Sequence, residues 1–236
     1  MLYMGGKGRI GRELAGVILA SSSSRDVYLE PFMGGGSTWK HLAPYFSTAY
    51  AGDVHEDLML MWKAAAEGWT PPSIVNEEKY QAVRKQRSPS ALRGFVGFGC
   101  SFGGKWWGGY ARSAANGNDY YARHAAKSVI EIAALCPPNR PGELRHCSFR
   151  EWTPAPGWVI YADPPYANTT KYKDNLNTVA FWNEMQDWVC LYGADVFVSE
   201  YAAPKGWQAI FEKQQPRKVS GGTGQMTTEK LFKYGV

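Results

Sequence analysis

Apolar residues along the chain follow two periods. Ile10, Leu14, Val17 and Ile18 recur at the spacing of one helix face, and the run Ser21–Ser24 stops that helix. "DVYLEPF" (26–32) is continuous enough for a buried strand and runs into Gly34-Gly35-Gly36, after which Ser37 is placed to cap a helix over "TWKHLAPYF". "STAYAGDV" predicts a second strand ending at Asp53, and "HEDLMLMWKAAAEG" a helix closed by Gly68. Strand, glycine turn, helix and strand make one βαβ unit.

From about residue 69 to 142 the pattern changes. Pro71-Pro72 opens a charged helix around "NEEKYQAVRKQR", and a segment rich in glycine and aromatic residues, "GFVGFGCSFGGKWWGGYARSAANGN", follows. A helix over "DYYARHAAKSVIEIAAL" ends at Cys136-Pro137-Pro138. Strand character returns at "ELRHCSF" and "GWVIYA", followed by the helix "TVAFWNEMQDWVCLYG", the strand "ADVFVSE" and two short strand-like pieces around "WQAIFEK" and "EKLFKYG". The expected organisation is an α/β core, 1–68 and 143–236, interrupted once by a mostly helical insert, 69–142. No internal repeat is present.

Composition narrows the class. The 236 residues suit one domain with an insert, and a formal charge of +5 is compatible with a polyanionic partner. The cysteines, Cys100, Cys136, Cys147 and Cys190, lack the paired spacing of a zinc ribbon or a disulfide framework, so no metal is expected. No apolar run has membrane length and no signal-peptide pattern opens the chain, so a cytoplasmic location is expected. Phe181, Trp182 and Trp188 fall at buried-helix spacing, so the aromatic content does not by itself argue for self-association.

Two motifs carry chemistry. The turn in "EPFMGGGS" lets a ligand approach the backbone at a helix N-terminus, and Asp53 lies about twenty residues beyond it, the spacing at which a carboxylate takes a ribose diol. An adenosine-containing cofactor fits, whereas "GGKGRIG" lacks the Walker pattern of a nucleotide hydrolase. The second motif is "YADPPYAN" (161–168). Asp163 and Pro164 each precede a proline and are held extended, so the carboxylate and the Pro164 carbonyl become two acceptors of nearly fixed direction. Such a pair suits an exocyclic amine, with Tyr166 offering a flat face to its ring. Hydrogen bonds to both amine hydrogens free a lone pair otherwise delocalised into that ring. The alternative reading of Asp-Pro-Pro is a hard strand stop.

Taken in order, the motifs resemble those of the D12-class, Dam-like N6-adenine DNA methyltransferases. "YMGGKGRI" (3–10) resembles the family's W-A-G-G-K element with Tyr3 in place of Trp, "EPFMGGGS" its F-x-G-x-G motif, and "GDVHEDL" its cofactor acid segment. "CSFREW" stands where the family has an Asp-Phe pair, here Ser148-Phe149, and D-P-P-Y is complete. The resemblance implies a Rossmann-like seven-stranded sheet with its last strand antiparallel and S-adenosylmethionine as methyl donor. Tyr3, Lys7, Glu30, Phe32, Gly34, Gly36, Asp53, Phe149 and Asp163 would shape the cofactor site. Asp163, Pro164, Pro165 and Tyr166 would form the catalytic motif.

The implied partner is double-stranded DNA, whose adenine must leave the helix to expose N6. Candidate DNA contacts are Arg84, Lys85, Arg87, Arg93, Lys105, Trp106, Trp107 and Arg112. The 84–93 cluster reads equally as a solvated helix face, while the seven glycines between 94 and 109 make poor core and favour a DNA-facing loop for Lys105-Trp106-Trp107. "FGCSFGGKWWGGYAR" resembles the family segment that precedes a recognition hairpin, although the family's Asn positions are largely absent. Rival readings are a cytosine-N4 methyltransferase, which more often carries Ser in place of the motif Asp, and RNA-adenine or protein-glutamine methylation, where Asn is frequent. A non-catalytic DNA-binding relative is a further alternative. The small size fits a phage or prophage enzyme. Because "SAANGNDYYARHAAKSV" passes almost directly into a helix in place of the hairpin, the expected target is short, about one or two base pairs beyond the adenine. Mapping methylated sites checks this, and confinement to one strict sequence of four or more bases overturns it.

Overall fold

The computed structural model describes residues 1–113, 115, 117, 119–165, 177–216 and 226–235. Seven strands form one sheet: β1 (Val27–Glu30), β2 (Thr48–Asp53), β3 (Gly142–His146), β4 (Trp158–Ala162), β5 (Asp195–Glu200), β6 (Trp207–Pro216) and β7 (Met226–Tyr234). Their order is β3-β2-β1-β4-β5-β7-β6. The strands from β3 to β5 are parallel, and β7 is antiparallel to both β5 and β6. From the central β1 the chain winds outward through β2 and β3, then returns to β4 on the other side. That reversal opens a crevice beyond the carboxyl ends of β1 and β4, where ligands bind in open α/β sheets.

Side chains alternate between two cores. Tyr28, Val159, Tyr161, Phe197 and Leu231 point into one, and Leu29, Ile160, Ala162, Val196, Val198 and Phe232 into the other. Both faces are covered, which explains why the central strands read as unbroken apolar runs. Helices α1 (Gly11–Ser21), α2 (Trp39–Leu42), α3 (Glu56–Ala66) and α6 (Tyr120–Ala133) contribute to the first core, as do α4 (Glu77–Lys85) and α5 (Ala91–Gly94). The second core is filled by α7 (Thr178–Cys190) and the turn Phe149–Glu151. His55, Asn76 and Asn177 cap α3, α4 and α7 by accepting a backbone N–H inside the first turn.

Three local expectations change. The helix expected over 38–46 is α for only four residues before tightening to a 3-10 turn at Ala43–Tyr45, because Pro44 lacks an N–H. Its N-cap is Thr38, without a side-chain bond, and not Ser37. The last two strands outrun their apolar parts and pair from Trp207↔Tyr234 to Pro216↔Met226. The ribbon turns polar along its length, and Lys230 and Glu212 pair at 2.9 Å across it.

The largest difference concerns the glycine-rich segment. Phe95, Val96, Gly97, Phe98 and Gly99 form a buried π-helical turn. A Cβ on Gly94 would lie 2.1 Å from the Asp57 carbonyl oxygen, one on Gly97 2.1 Å from the Trp106 ring, and one on Gly99 2.8 Å from Ala125 Cβ. These glycines permit close packing; they are core, not loop. Gly94→Ala should therefore cost about 1–3 kcal/mol, since a helix backbone and not a movable side chain stands in the way. Urea unfolding checks this through a lower midpoint at an unchanged slope.

Candidate active site at the β1/β4 switch point

The crevice is built from strand ends. Beyond β1 the chain turns through Gly34 and Gly36, both at positive φ (47° and 68°), a backbone state that glycine enters without strain. The turn is held from several sides. Trp62 Nε1 donates to the Gly34 carbonyl at 3.0 Å, and Gly34 N–H donates to Asp53 Oδ2 at 3.0 Å. The Tyr3 side chain lies over Gly34 and Gly35, so close that a Cβ on Gly34 would meet its ring at 2.8 Å and one on Gly35 its Cβ at 2.6 Å. Ile132 of α6 closes on Gly36, where a Cβ would sit 2.9 Å from its Cγ2.

Asp53, at the end of β2, also accepts the His55 N–H on Oδ1 at 2.9 Å. Burial raises its pKa, and the His55 and Gly34 N–H donors oppose that rise. Each of its oxygens thus takes one backbone donor and keeps a further lone pair for a hydroxyl. Phe32 and Phe149 face each other at 5.3 Å, and Phe149 rests on Phe181 at 5.6 Å, forming an aromatic wall beside the turn.

At the end of β4, Asp163 is joined to the buried Lys7 by an ion pair of 2.8 Å. Lys7 also lies 3.7 Å from Glu229 of β7 and donates to the Gly5 carbonyl at 3.3 Å. Beneath them Glu30 accepts the Tyr28 hydroxyl at 2.8 Å. Burial raises the Glu30 pKa well above the ordinary carboxylate range; the Tyr28 bond opposes this and the Asp163 charge adds to it. Lys7 thus faces the carboxyl groups of both Asp163 and Glu229. Pro164 is buried and Pro165 half-buried, while Tyr166 lies outside the described residues.

Sequence positions Lys7, Glu30, Phe32, Gly34, Gly36, Asp53, Phe149 and Asp163 all meet around this crevice, and Tyr3 covers its turn. Trp62, Ile132, Phe181, His55 and Glu229 escaped notice, since each lies inside an ordinary helix, cap or strand pattern. Only His55, two residues after Asp53, stood close enough to a motif to be found.

The candidate DNA contacts divide. Arg84, Lys85, Arg87, Lys105 and Arg112 are exposed, the last paired with Glu77. Arg93 turns inward: it pairs with Asp57 at 3.1 Å, donates to the Val83 and Gln86 carbonyls, and covers the Trp106 and Trp107 rings. Both tryptophans are half-buried, Trp106 against Phe98 and His55 and Trp107 against Tyr80. Unanticipated is Phe102, exposed on a tight hairpin closed by Phe102 N–H to Gly109 O at 2.8 Å. That hairpin meets the N-terminal segment where Met4 N–H donates to Gly104 O at 3.1 Å.

The strand order and the strand-end crevice define a Rossmann-like α/β fold of the kind used by S-adenosylmethionine-dependent methyltransferases. Residues 3–91 match the model of the D12 class N6 adenine-specific DNA methyltransferase family, so Lys7, the glycine turn and Asp53 lie inside the match and Asp163 beyond it. No curated protein matches the chain. Among solved structures, an rRNA methyltransferase from Streptomyces viridochromogenes is similar with TM-score 0.44 and 14% identity, over 98% of this chain and 86% of that one. An rRNA methylase from Streptococcus thermophilus gives 0.42 and 10%, over 93% of each chain. Precorrin 8w decarboxylase from Methanobacterium thermoautotrophicum gives 0.41 and 11%, over 95% and 90%. Likeness at this level says nothing about substrate. Among the described residues no three metal-binding side chains cluster, and no helix is long and apolar enough to cross a membrane.

The raised pKa of Glu30 has a consequence for stability. In the unfolded chain Glu30 ionises near 4.5, whereas in the folded protein it does so well above that value. Its contribution is fully present below the unfolded value and is lost as pH rises toward the folded one. Glu30→Gln keeps an acceptor for Tyr28 and removes the titration. Between about pH 5 and 8 the melting temperature of the variant should fall less than that of the wild type.

Proposed function

We propose that the chain is an S-adenosylmethionine-dependent DNA methyltransferase acting on the N6 amine of an adenine swung out of the duplex. The observation that carries this reading is the position of Asp163: a carboxylate at the end of β4, tethered to the buried Lys7, on the strand next to β1, whose end opens into the glycine turn that Asp53 of β2 holds. The family match over 3–91 supports the cofactor half, and the complete D-P-P-Y sequence supports the amine half.

The crevice suits the cofactor on its own features. Asp53 retains acceptor capacity for ribose hydroxyls, Phe32 and Phe149 offer faces for an adenine ring, and Tyr3, Gly34 and Gly36 shape the backbone approach. Lys7 and Glu30 lie beneath, around Asp163. When bound, S-adenosylmethionine supplies a methyl group activated by a sulfonium.

The chain's own task is to present the nucleophile. Asp163 and the Pro164 carbonyl accept from the two hydrogens of the amine, which localises the nitrogen lone pair. The carboxylate makes the stronger bond, roughly twice a neutral one. Pro165 stiffens the turn, and Tyr166 stacks on the base. In this reading residues 1–68 and 143–236 form the catalytic core and 69–142 the DNA-contacting insert. Arg84, Lys85, Arg87, Lys105 and Arg112 hold phosphates, and Phe102 faces the DNA. Arg93, Trp106 and Trp107 act by holding the insert together.

The test is methyl transfer from labelled S-adenosylmethionine to unmethylated duplex DNA, with product nucleosides resolved. The expected result is N6-methyladenine from the wild type and a loss on the order of 10²–10³ in rate for Asp163→Ala. Label in N4-methylcytosine, or only in an RNA control, overturns the substrate. Bound cofactor without transfer to any substrate favours a non-catalytic DNA-binding protein.

A further inference from the structure

The ammonium of Lys7 is shared. It sits 2.8 Å from Asp163 and 3.7 Å from Glu229, and Lys7 itself is only 5% exposed. Glu229 comes from β7, the antiparallel strand on the far side of β5, more than sixty residues after Asp163. Neither the glycine turn nor the D-P-P-Y motif includes it.

An acceptor carboxylate bound by a whole ammonium is a weakened acceptor, because the cation draws its electron density and competes for its lone pairs. A second carboxylate facing the same ammonium takes part of that attraction. We propose that Glu229 is a positioning residue for the amine-binding carboxylate: by holding Lys7 from the β7 side, it keeps Asp163 anchored yet still able to accept from the substrate amine. This inference rests on the methyltransferase reading of the site.

Three further groups of the described residues lie near Asp163. Lys7 approaches from the N-terminal segment, Glu30 lies on β1 with its pKa raised by burial, and Tyr161 of β4 donates or accepts at Ser199, 2.9 Å away. The Tyr161 pKa is likewise raised, by burial first and the Asp163 charge second. Among these groups Lys7 carries the positive charge, and Asp163 and Glu229 the negative charges it faces.

Glu229→Gln removes one anion, keeps a similar shape, and lets Lys7 settle wholly on Asp163. The expected kcat for methyl transfer falls about tenfold, with KM for both substrates and the melting temperature near wild type. The acid limb of the kcat–pH profile moves to lower pH, since Asp163 ionises more readily once the neighbouring anion is gone. Glu229→Asp restores part of the loss. Carbon-13 NMR of labelled aspartate, with Asp163→Asn identifying the signal, should show the same downward movement of the Asp163 titration without need of turnover. An unchanged Asp163 titration in Glu229→Gln overturns the inference whether or not the wild type turns over. So does an active wild type matched by Glu229→Gln in kcat and pH profile, or a Glu229→Gln loss that appears as instability with the acid limb unmoved. A wild type that binds cofactor and methylates nothing instead refutes the functional reading, and the catalytic role of Glu229 with it.

Discussion

The contact on which the site depends is the ion pair of Lys7 with Asp163. A lysine ammonium removed from water is tolerated only where carboxylates and carbonyls replace its hydration, and Lys7 finds Asp163, Glu229 and the Gly5 carbonyl. The requirement fixes more than the pair. It draws the N-terminal segment across the crevice, which lays Tyr3 over Gly34 and Gly35 and brings Met4 to the hairpin carrying Phe102. Residues separated by more than 150 positions thereby act as one wall.

A second constraint is the density of the layer on the Tyr28 face. Helix α3 lies against α5 and α6, and its backbone comes so close to Gly94 that no side chain fits between. Arg93 is locked by Asp57 and by two indole rings, and Trp106 meets His55, whose own N–H supports Asp53. The insert and the cofactor acid are therefore mechanically continuous through a few aromatic contacts. Burial lowers the His55 pKa and keeps its ring neutral, in accord with its Nδ1 accepting the Leu58 N–H.

The electrostatics of the crevice follow from depth. Glu30 and Asp53 are both buried, yet Asp53 receives two backbone N–H donors and Glu30 one hydroxyl. Burial pushes the Glu30 pKa well up, while the donors at Asp53 resist the same desolvation. Two acids of like chemistry thus acquire different surroundings: one accepts a single hydroxyl beneath the ion pair, the other two backbone N–H groups beside the glycine turn.

Much of this was legible in the linear chain because it is local. Continuous apolar strands, a glycine turn before a helix, an acid ending the next strand and prolines stiffening Asp163 are all written within a few residues of one another. What escaped was decided by contacts between distant segments. Seven glycines in a short stretch read as a loop, since composition does not reveal that Asp57, Trp106 and Ala125 would arrive to pack against three of them. Arg93 read as a free cation like Arg84, and only the approach of Asp57 turned it inward. Glu229 read as one polar residue in a polar strand, until the sheet order placed β7 within reach of Lys7. Local backbone preference and periodicity act through neighbours in sequence, so the sequence by itself determined the elements and the motif chemistry. Burial and charge pairing act through neighbours in space, and only the tertiary structure decided which side chains those would be.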